Sequence, residues 1–328
     1  MDGQWRCSGL RWSARGPELE WDGGRRSPLT WGKRVAFGVG GGLGGGVGGQ
    51  VGGGRTGRAC VGARGNPCPL RAPVPGRSTG ARCEECARLD RAHSVAADTL
   101  ADDPRPYHVY LAWFGPGLTK VGITAVERGP TRLLEQGAVC FSWLGAGPLM
   151  SARRAEELLR AALGVPDRIP YADKRAVRSA LPVTGAERSA EIAELHGRAV
   201  ALGGWPEALR RAPLRVVDHT GVFGLAGLPD AFGEVRELVA GGVVGGELVA
   251  AAGPDLHLRT GTGTGKGVGA GAGERVVVLD TRLMRGWALT PLPAGIAAAG
   301  GDKGEGGDEL AVPVREYPRE EHQQDGLF

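Results

Sequence analysis

Apolar and polar positions alternate in two different rhythms along this chain. His108-Val109-Tyr110-Leu111-Ala112 is a short run rich in β-branched and aromatic residues, closed by Gly115-Pro116-Gly117. Thr119-Lys120-Val121-Gly122-Ile123-Thr124 has the same character, so the two runs predict a hairpin. Pro130 then suits a first helical turn, Leu133 and Leu134 give that helix an apolar side, and Gly137 stops it. Phe141 to Leu149 predicts another strand, after which Ser151 caps a helix. In that helix Ala155, Leu158, Leu159, Ala162 and Leu163 recur at helical spacing. Thr184 to Leu209 is helical in pattern, with Ile192, Leu195, Val200 and Leu202 as its apolar residues. Trp5 to Phe37 alternates as short, half-buried strands do. From Leu214 onward, Val216-Val217, Leu238-Val239, Val243-Val244, Leu248-Val249 and Val276 to Leu279 read as strands joined by Gly turns.

These patterns give an α+β chain with a β segment at 1–37, a flexible Gly-rich insertion at 38–57 and a Cys-rich segment at 58–103. A compact core follows at 104–182, then a helical connector at 183–212 and a β-rich C-terminal domain at 213–292. Residues 293–328 are acidic and short of apolar side chains, as in a disordered tail.

Composition changes this picture in few places. The 59 glycines cluster, so matches to glycine motifs carry little weight. Gly40, Gly42 and Gly45 match GxGxxG, but no helix pattern follows, so no dinucleotide site is expected. The Gly-rich loop at 260–273 fails the Walker pattern, with Thr260 in place of its first Gly and Gly267 in place of Ser or Thr. No nucleotide-binding loop is therefore assigned. A net charge of +4 neither favours nor excludes nucleic acid. No apolar run is long enough to cross a bilayer and no leader pattern opens the chain, so a cytoplasmic, non-membrane protein is expected.

Reduced thiols in such a compartment suggest metal ligation. Cys83-Glu84-Glu85-Cys86 is a CxxC knuckle whose thiolates can reach one tetrahedral ion, and Cys60 with Cys68 can complete a structural zinc site. His93 is an alternative ligand, and a redox couple or free thiols at Cys83 and Cys86 is the alternative role. Cys7 and Cys140 read as small buried hydrophobes. Trp and Arg interleave near the N-terminus, which fits base stacking but is more simply core filling.

The hairpin and the helix after it place Arg128 and Arg132 together, a compact place to hold a phosphate. At about 100° per residue, Glu156 falls on the flank of the next helix's apolar face and Glu157 points away from it. Glu156 thus looks into a cleft; on periodicity alone a boundary salt bridge is its plainer role.

Val109-Tyr110-Leu111, Lys120-Val121-Gly122, Pro130 to Ala138 and the Glu156 helix together resemble a divergent GIY-YIG nuclease core. More closely they resemble a bacterial domain-of-unknown-function family numbered 2797. The resemblance implies a small three-stranded sheet flanked by helices. It gives Tyr110 a place near the attacking water, Arg132 or Arg128 the scissile phosphate, and Glu156 a catalytic magnesium or manganese. Lys120 stands where the nucleases carry a second Tyr. Their late Asn has no counterpart, since Asn66, the only asparagine, precedes the core. Three functions follow: a metal-dependent DNA or RNA phosphodiester hydrolase, a non-cleaving nucleic-acid binder, or a zinc-organised interaction scaffold. Oligomeric state is left open.

Overall fold

The computed structural model describes residues 5–13, 15–40, 57–92, 103–261, 275–292 and 310–318. The insertion at 41–56, His93, the glycine loop at 262–274 and the tail at 293–309 and 319–328 lie outside the described residues. Four N-terminal strands, β1 (Trp5–Ser13), β2 (Gly16–Trp21), β3 (Arg26–Pro28) and β4 (Arg34–Val39), precede helix α1 (Glu84–Ala92). The middle of the chain runs β5 (Pro106–Trp113), β6 (Thr119–Ala125), α2 (Thr131–Gln136), β7 (Cys140–Pro148), α3 (Leu149–Leu163), α4 (Tyr171–Ala176) and α5 (Gly185–Ala201). After β8 (Arg210–Arg211), β9 (Val216–Asp218) and α6 (Thr220–Phe223) come β10 (Ala231–Val235), β11 (Val243–Ala252), β12 (Asp255–Thr260), β13 (Arg275–Asp280) and β14 (Ala288–Pro291). Two short strands follow, β15 (Leu310–Ala311) and β16 (Val314–Glu316).

Two sheets result. The central one orders its strands β6-β5-β7-β8, with β9 also paired to β7. Strand β5 is apolar on both faces because both are covered. Tyr107, Val109 and Leu111 pack toward Ala152, Ala155 and Leu159 of α3, while Tyr110, Ala112 and Phe114 pack with Leu133 of α2 and Ile169. The hairpin and its helix form as expected, with Gly137 in the left-handed region (φ 72°) closing α2. Glu191 of α5 fixes the hairpin, accepting from Trp113 Nε1 (2.8 Å) and Thr119 Oγ1 (2.6 Å). Thr184 and Glu187 form a capping box at the start of α5.

The larger sheet departs from the expected segmentation. Its order is β16-β10-β13-β12-β11-β4-β14-β1-β2-β3, with β15 on β11. The 1–37 strands and the 213–292 strands therefore share one sheet, through β4 on β11 and β14 and through β1 on β14. A few short strands gain independent stability only by packing onto more sheet.

Other expectations are corrected too. The central sheet holds five strands, not three. Val216-Val217 belong to it through β9, and α5 packs on β5 and β7 instead of serving only as a connector. Helix α3 starts at Leu149, two residues before Ser151, and helicity ends at Ala201, well before Leu209. Leu238-Val239 is not a strand, whereas Leu310–Ala311 and Val314–Glu316, read as disordered tail, pair with β11 and β10. Val243-Val244 and Leu248-Val249 lie on one strand: a Cβ on Gly246 would sit 2.9 Å from Arg259 O, so glycine there allows close strand approach and makes no turn.

Helix α4 and the turn after it dock on the larger sheet through buried charge. Arg175 bonds Glu234 (2.8 Å), Asp255 (2.6 Å) and Asp280 (2.8 Å), and Arg178 bonds Asp255 (2.6 Å). Burial alone would raise the Asp255 carboxyl, but Arg178 and Arg175 outweigh it and hold it at about 2.

Candidate functional site

The Sγ atoms of Cys60, Cys68, Cys83 and Cys86 all lie within 4.8 Å of one another, and none of the four is in a disulfide. Local turn chemistry gathers the first pair. Gly62 takes φ 84°, where a Cβ would come 1.9 Å from Asn66 O. Arg64 (φ 54°) and Gly65 (φ 80°) then make a two-residue turn closed by Ala63 N to Asn66 O (3.0 Å) and Asn66 N to Ala63 O (2.9 Å). Cys83 precedes α1 and Cys86 lies in its first turn, which sets the second pair. Backbone amides of Gly62 (3.3 Å) and Cys83 (3.2 Å) donate to Cys60 Sγ.

Such amides stabilise thiolate. Those of Ala72 and Leu70 help hold the Cys68 thiol at about 7, whereas burial beside the other thiols pushes Cys86 up to about 12. Four sulfurs this close resist joint ionisation without a cation. A tetrahedral ion with bonds of about 2.3 Å separates its sulfurs by about 3.8 Å, which this cluster accommodates. The cluster can hold a metal ion with all four expected cysteines. Cys7 and Cys140 behave otherwise: burial pushes both thiols up to about 12, as for small hydrophobes.

This segment is tied to the large sheet. Arg58 is 3% exposed and donates to the carbonyls of Arg285 (2.8 Å), Pro75 (2.7 Å) and Arg282 (2.8 Å). Ala59 N bonds Gly286 O at 3.0 Å, where a Cβ on Gly286 would meet Ala59 O at 2.1 Å.

The second constellation lies on the α2 side of the central sheet. Tyr110 and Gly122 are paired across β5 and β6, and the Tyr110 ring lies over Gly122, whose Cβ would meet Tyr110 Oη at 2.4 Å. Gln136 Nε2 donates to that Oη at 2.9 Å. Lys120, paired across from Ala112, is 9% exposed; its Nζ stands 5.6 Å from the Tyr110 ring centroid and donates to Asp167 O at 3.1 Å. Burial, then repulsion from Arg132, brings Lys120 down to about 8.

Glu156 is half-buried on α3 and Glu157 is exposed, matching the angular reading of that helix. Glu156 makes no hydrogen bond, and no cation comes within 4 Å of it among the described residues. Burial raises its pKa while Lys120, the largest influence of opposite sign, opposes the rise. The boundary salt bridge is thus not formed. Arg128 and Arg132 both reach Glu135, Arg132 at 3.6 Å, so part of their charge is already balanced. Burial raises the Tyr110 hydroxyl pKa, the hydrogen bond from Gln136 and the charges of Arg132 and Arg128 oppose the rise, and Glu156 adds to it.

Lys174 escaped the sequence reading. It is 4% exposed, donates to Gln136 O at 3.1 Å, and lies 3.9 Å over the Phe114 ring and 4.4 Å over Tyr171. Burial, then Lys120, brings it down to about 7. A lysine in Tyr171-Ala172-Asp173-Lys174 offers no sequence signal of burial; only the fold of α4 against α2 turns it inward.

No helix among the described residues is long and apolar enough to cross a membrane. Comparison with curated proteins and with solved structures found no match. One family, described as protein of unknown function (DUF2797), matches residues 75–289, which takes in Cys83, Cys86, the central sheet, strands β10 to β13 of the larger sheet, and Tyr110, Lys120, Arg132 and Glu156. The match spans well over half of the chain, and the protein therefore belongs to the DUF2797 family.

Proposed function

We propose that this protein is a metal-dependent phosphodiester hydrolase acting on DNA or RNA, with zinc as the structural ion of the four-cysteine cluster. The observation that carries the reading is Glu156. A half-buried carboxylate that no cation among the described residues has claimed, in the electrostatic reach of Tyr110 and Lys120, is an open ligand position. The order hairpin, helix, strand, helix around it agrees with the GIY-YIG resemblance.

A magnesium or manganese ion on Glu156 would supply positive charge for the phosphate oxygens. The chain's own groups supply the rest. Arg132, or Arg128, attracts and orients the phosphodiester through charge-assisted hydrogen bonds. Lys120, neutral above about pH 8, can take the proton of an attacking water. Gln136 holds the Tyr110 hydroxyl facing that water, and Lys174 adds a second buried amine to the same face.

The test is incubation of the purified chain with DNA and RNA in magnesium or manganese, beside Glu156→Ala. Cutting that needs the metal and disappears in the variant supports the reading; equal cutting by both refutes the site. A second reading, binding without cleavage, is favoured by the surplus of cations over carboxylates and by Lys120 in place of a second Tyr. Steeply salt-dependent binding with no product would select it.

A further inference from the structure

Away from both constellations, at the junction of the β1–β2 hairpin and the Cys-rich segment, a cavity of about 480 Å³ is lined by Trp5, Arg6, Trp21, Asp22, Arg25 and Arg71. That volume is in the range of small-ligand sites. Trp5 and Trp21 meet edge to face with centroids 5.8 Å apart, and the Arg25 guanidinium lies over Trp5 at 3.6 Å from its centroid. Three guanidiniums face one carboxylate, and Asp22 is shared, with Ser8 Oγ at 3.0 Å and Arg6 Nε at 3.9 Å. Arg25 and Arg71 make no ion pair among the described residues. Arg71 repels Arg6 and adds to the lowering of its pKa by burial. Arg71 also holds φ 43°, an uncommon backbone state for a side chain other than glycine, three residues after Cys68. A rim of three guanidiniums with one shared carboxylate, beside an indole face covered by Arg25, is complementary to an anion that carries a flat ring.

We propose that this cavity binds one unpaired nucleotide of a nucleic-acid strand, its base stacked on the Trp5–Arg25 platform and its phosphate held by Arg6 and Arg71. Indoles and guanidinium planes both stack bases, and arginine matches phosphate geometry. The inference rests on the nucleic-acid reading above and adds a second contact on the same strand. It also gives the cysteine cluster a task, since the loop that carries Cys68 carries Arg71.

The experiment follows fluorescence anisotropy of labelled 12-nucleotide single-stranded DNA and RNA, and of the matching duplexes, in a Glu156→Ala background so that strands stay intact. Arg25→Glu, Arg71→Glu and Trp5→Leu are compared with Arg91→Glu, an exposed charge reversal on α1. Single-strand affinity is expected to fall about tenfold or more in the first three, by the usual worth of a stacked base. For Arg71→Glu the salt slope should also drop by about one. Duplex binding and Arg91→Glu should change less than twofold. Single-strand binding unchanged in all three variants overturns the inference while leaving the nucleic-acid reading standing. Absence of any strand binding, before or after substitution, overturns both.

Discussion

Cys60, Cys68, Cys83 and Cys86 come from one short stretch of chain, whereas Tyr110, Lys120, Arg132 and Glu156 come from β5, β6, α2 and α3. The thiols meet one another closely enough to enclose an ion, with backbone amides already turned toward a sulfur. The second group is gathered only through the packing of those elements, and among the described residues its carboxylate makes no hydrogen bond. A closed ligand set uses a metal to hold a fold together, and an open one leaves room for a substrate. The same contrast sets what each region costs the protein. The cluster would gain stability from a bound ion. The Tyr110 face keeps a carboxylate and two amines partly or wholly out of water with no ion pair among the described residues, an arrangement that costs stability.

Several substitutions would break or sharpen this contrast. The largest effect is expected for Cys83→Ser or Cys86→Ser: bound zinc, read by elemental analysis, should fall from one equivalent to none. Stability should drop on the order of 4 kcal/mol because binding energy at a structural metal is folding energy. Retained zinc would refute the cluster as its site. Glu156→Ala should act oppositely, lowering cutting by about 100-fold or more, as loss of a transition-state charge partner does, with zinc content unchanged. Its melting temperature should hold or rise, since burial disfavours that unpaired carboxylate.

Gly122→Ala tests how the open site is shaped. Its Cβ would sit 2.4 Å from Tyr110 Oη, so the ring must move, at a cost of about 1–3 kcal/mol in denaturant unfolding. An unaltered unfolding curve would show that Tyr110 does not lie across that glycine.

The smallest effect is a pH signature. Lys120 is lowered from 10.5 to about 8 in the folded chain, so between these values the unfolded chain binds more protons. Stability should therefore rise with pH across that window, the penalty being fully present below about pH 8. Lys174, lowered to about 7, extends the same trend downward. In Lys120→Met the rise should shrink and stability at pH 7 should increase, as followed by melting temperature. A slope identical to wild type would mean Lys120 is not buried in its charged form.

Legibility in the sequence followed the range of the forces involved. The β5–β6 hairpin, the Gly137 stop and the Glu156 flank were readable because turn residues and helical period are local signals. The cysteine ligands were readable for the same reason, since a CxxC pair and a short loop constrain one another. Continuity of β11 through Gly245 and Gly246 was not readable, because Gly246 answers to Arg259 and Leu258 on the neighbouring strand. Nor was the placement of Leu310 and Val314, whose strands exist only because β11 and β10 offer edges to pair with.

The sequence by itself determined the local elements of the middle of the chain, the identity of the metal-competent thiols and the angular place of Glu156. These depend on hydrogen bonds and side-chain directions within a few residues. Only the tertiary structure decided that residues 5–39 complete the sheet built by the C-terminal strands. It alone turned Lys174 inward, left Glu156 without a salt-bridge partner among the described residues, and brought Arg71 to a cavity shared with Trp5. Those outcomes depend on which charged groups are carried into a low-dielectric interior together, and that is set by packing between segments far apart in the chain.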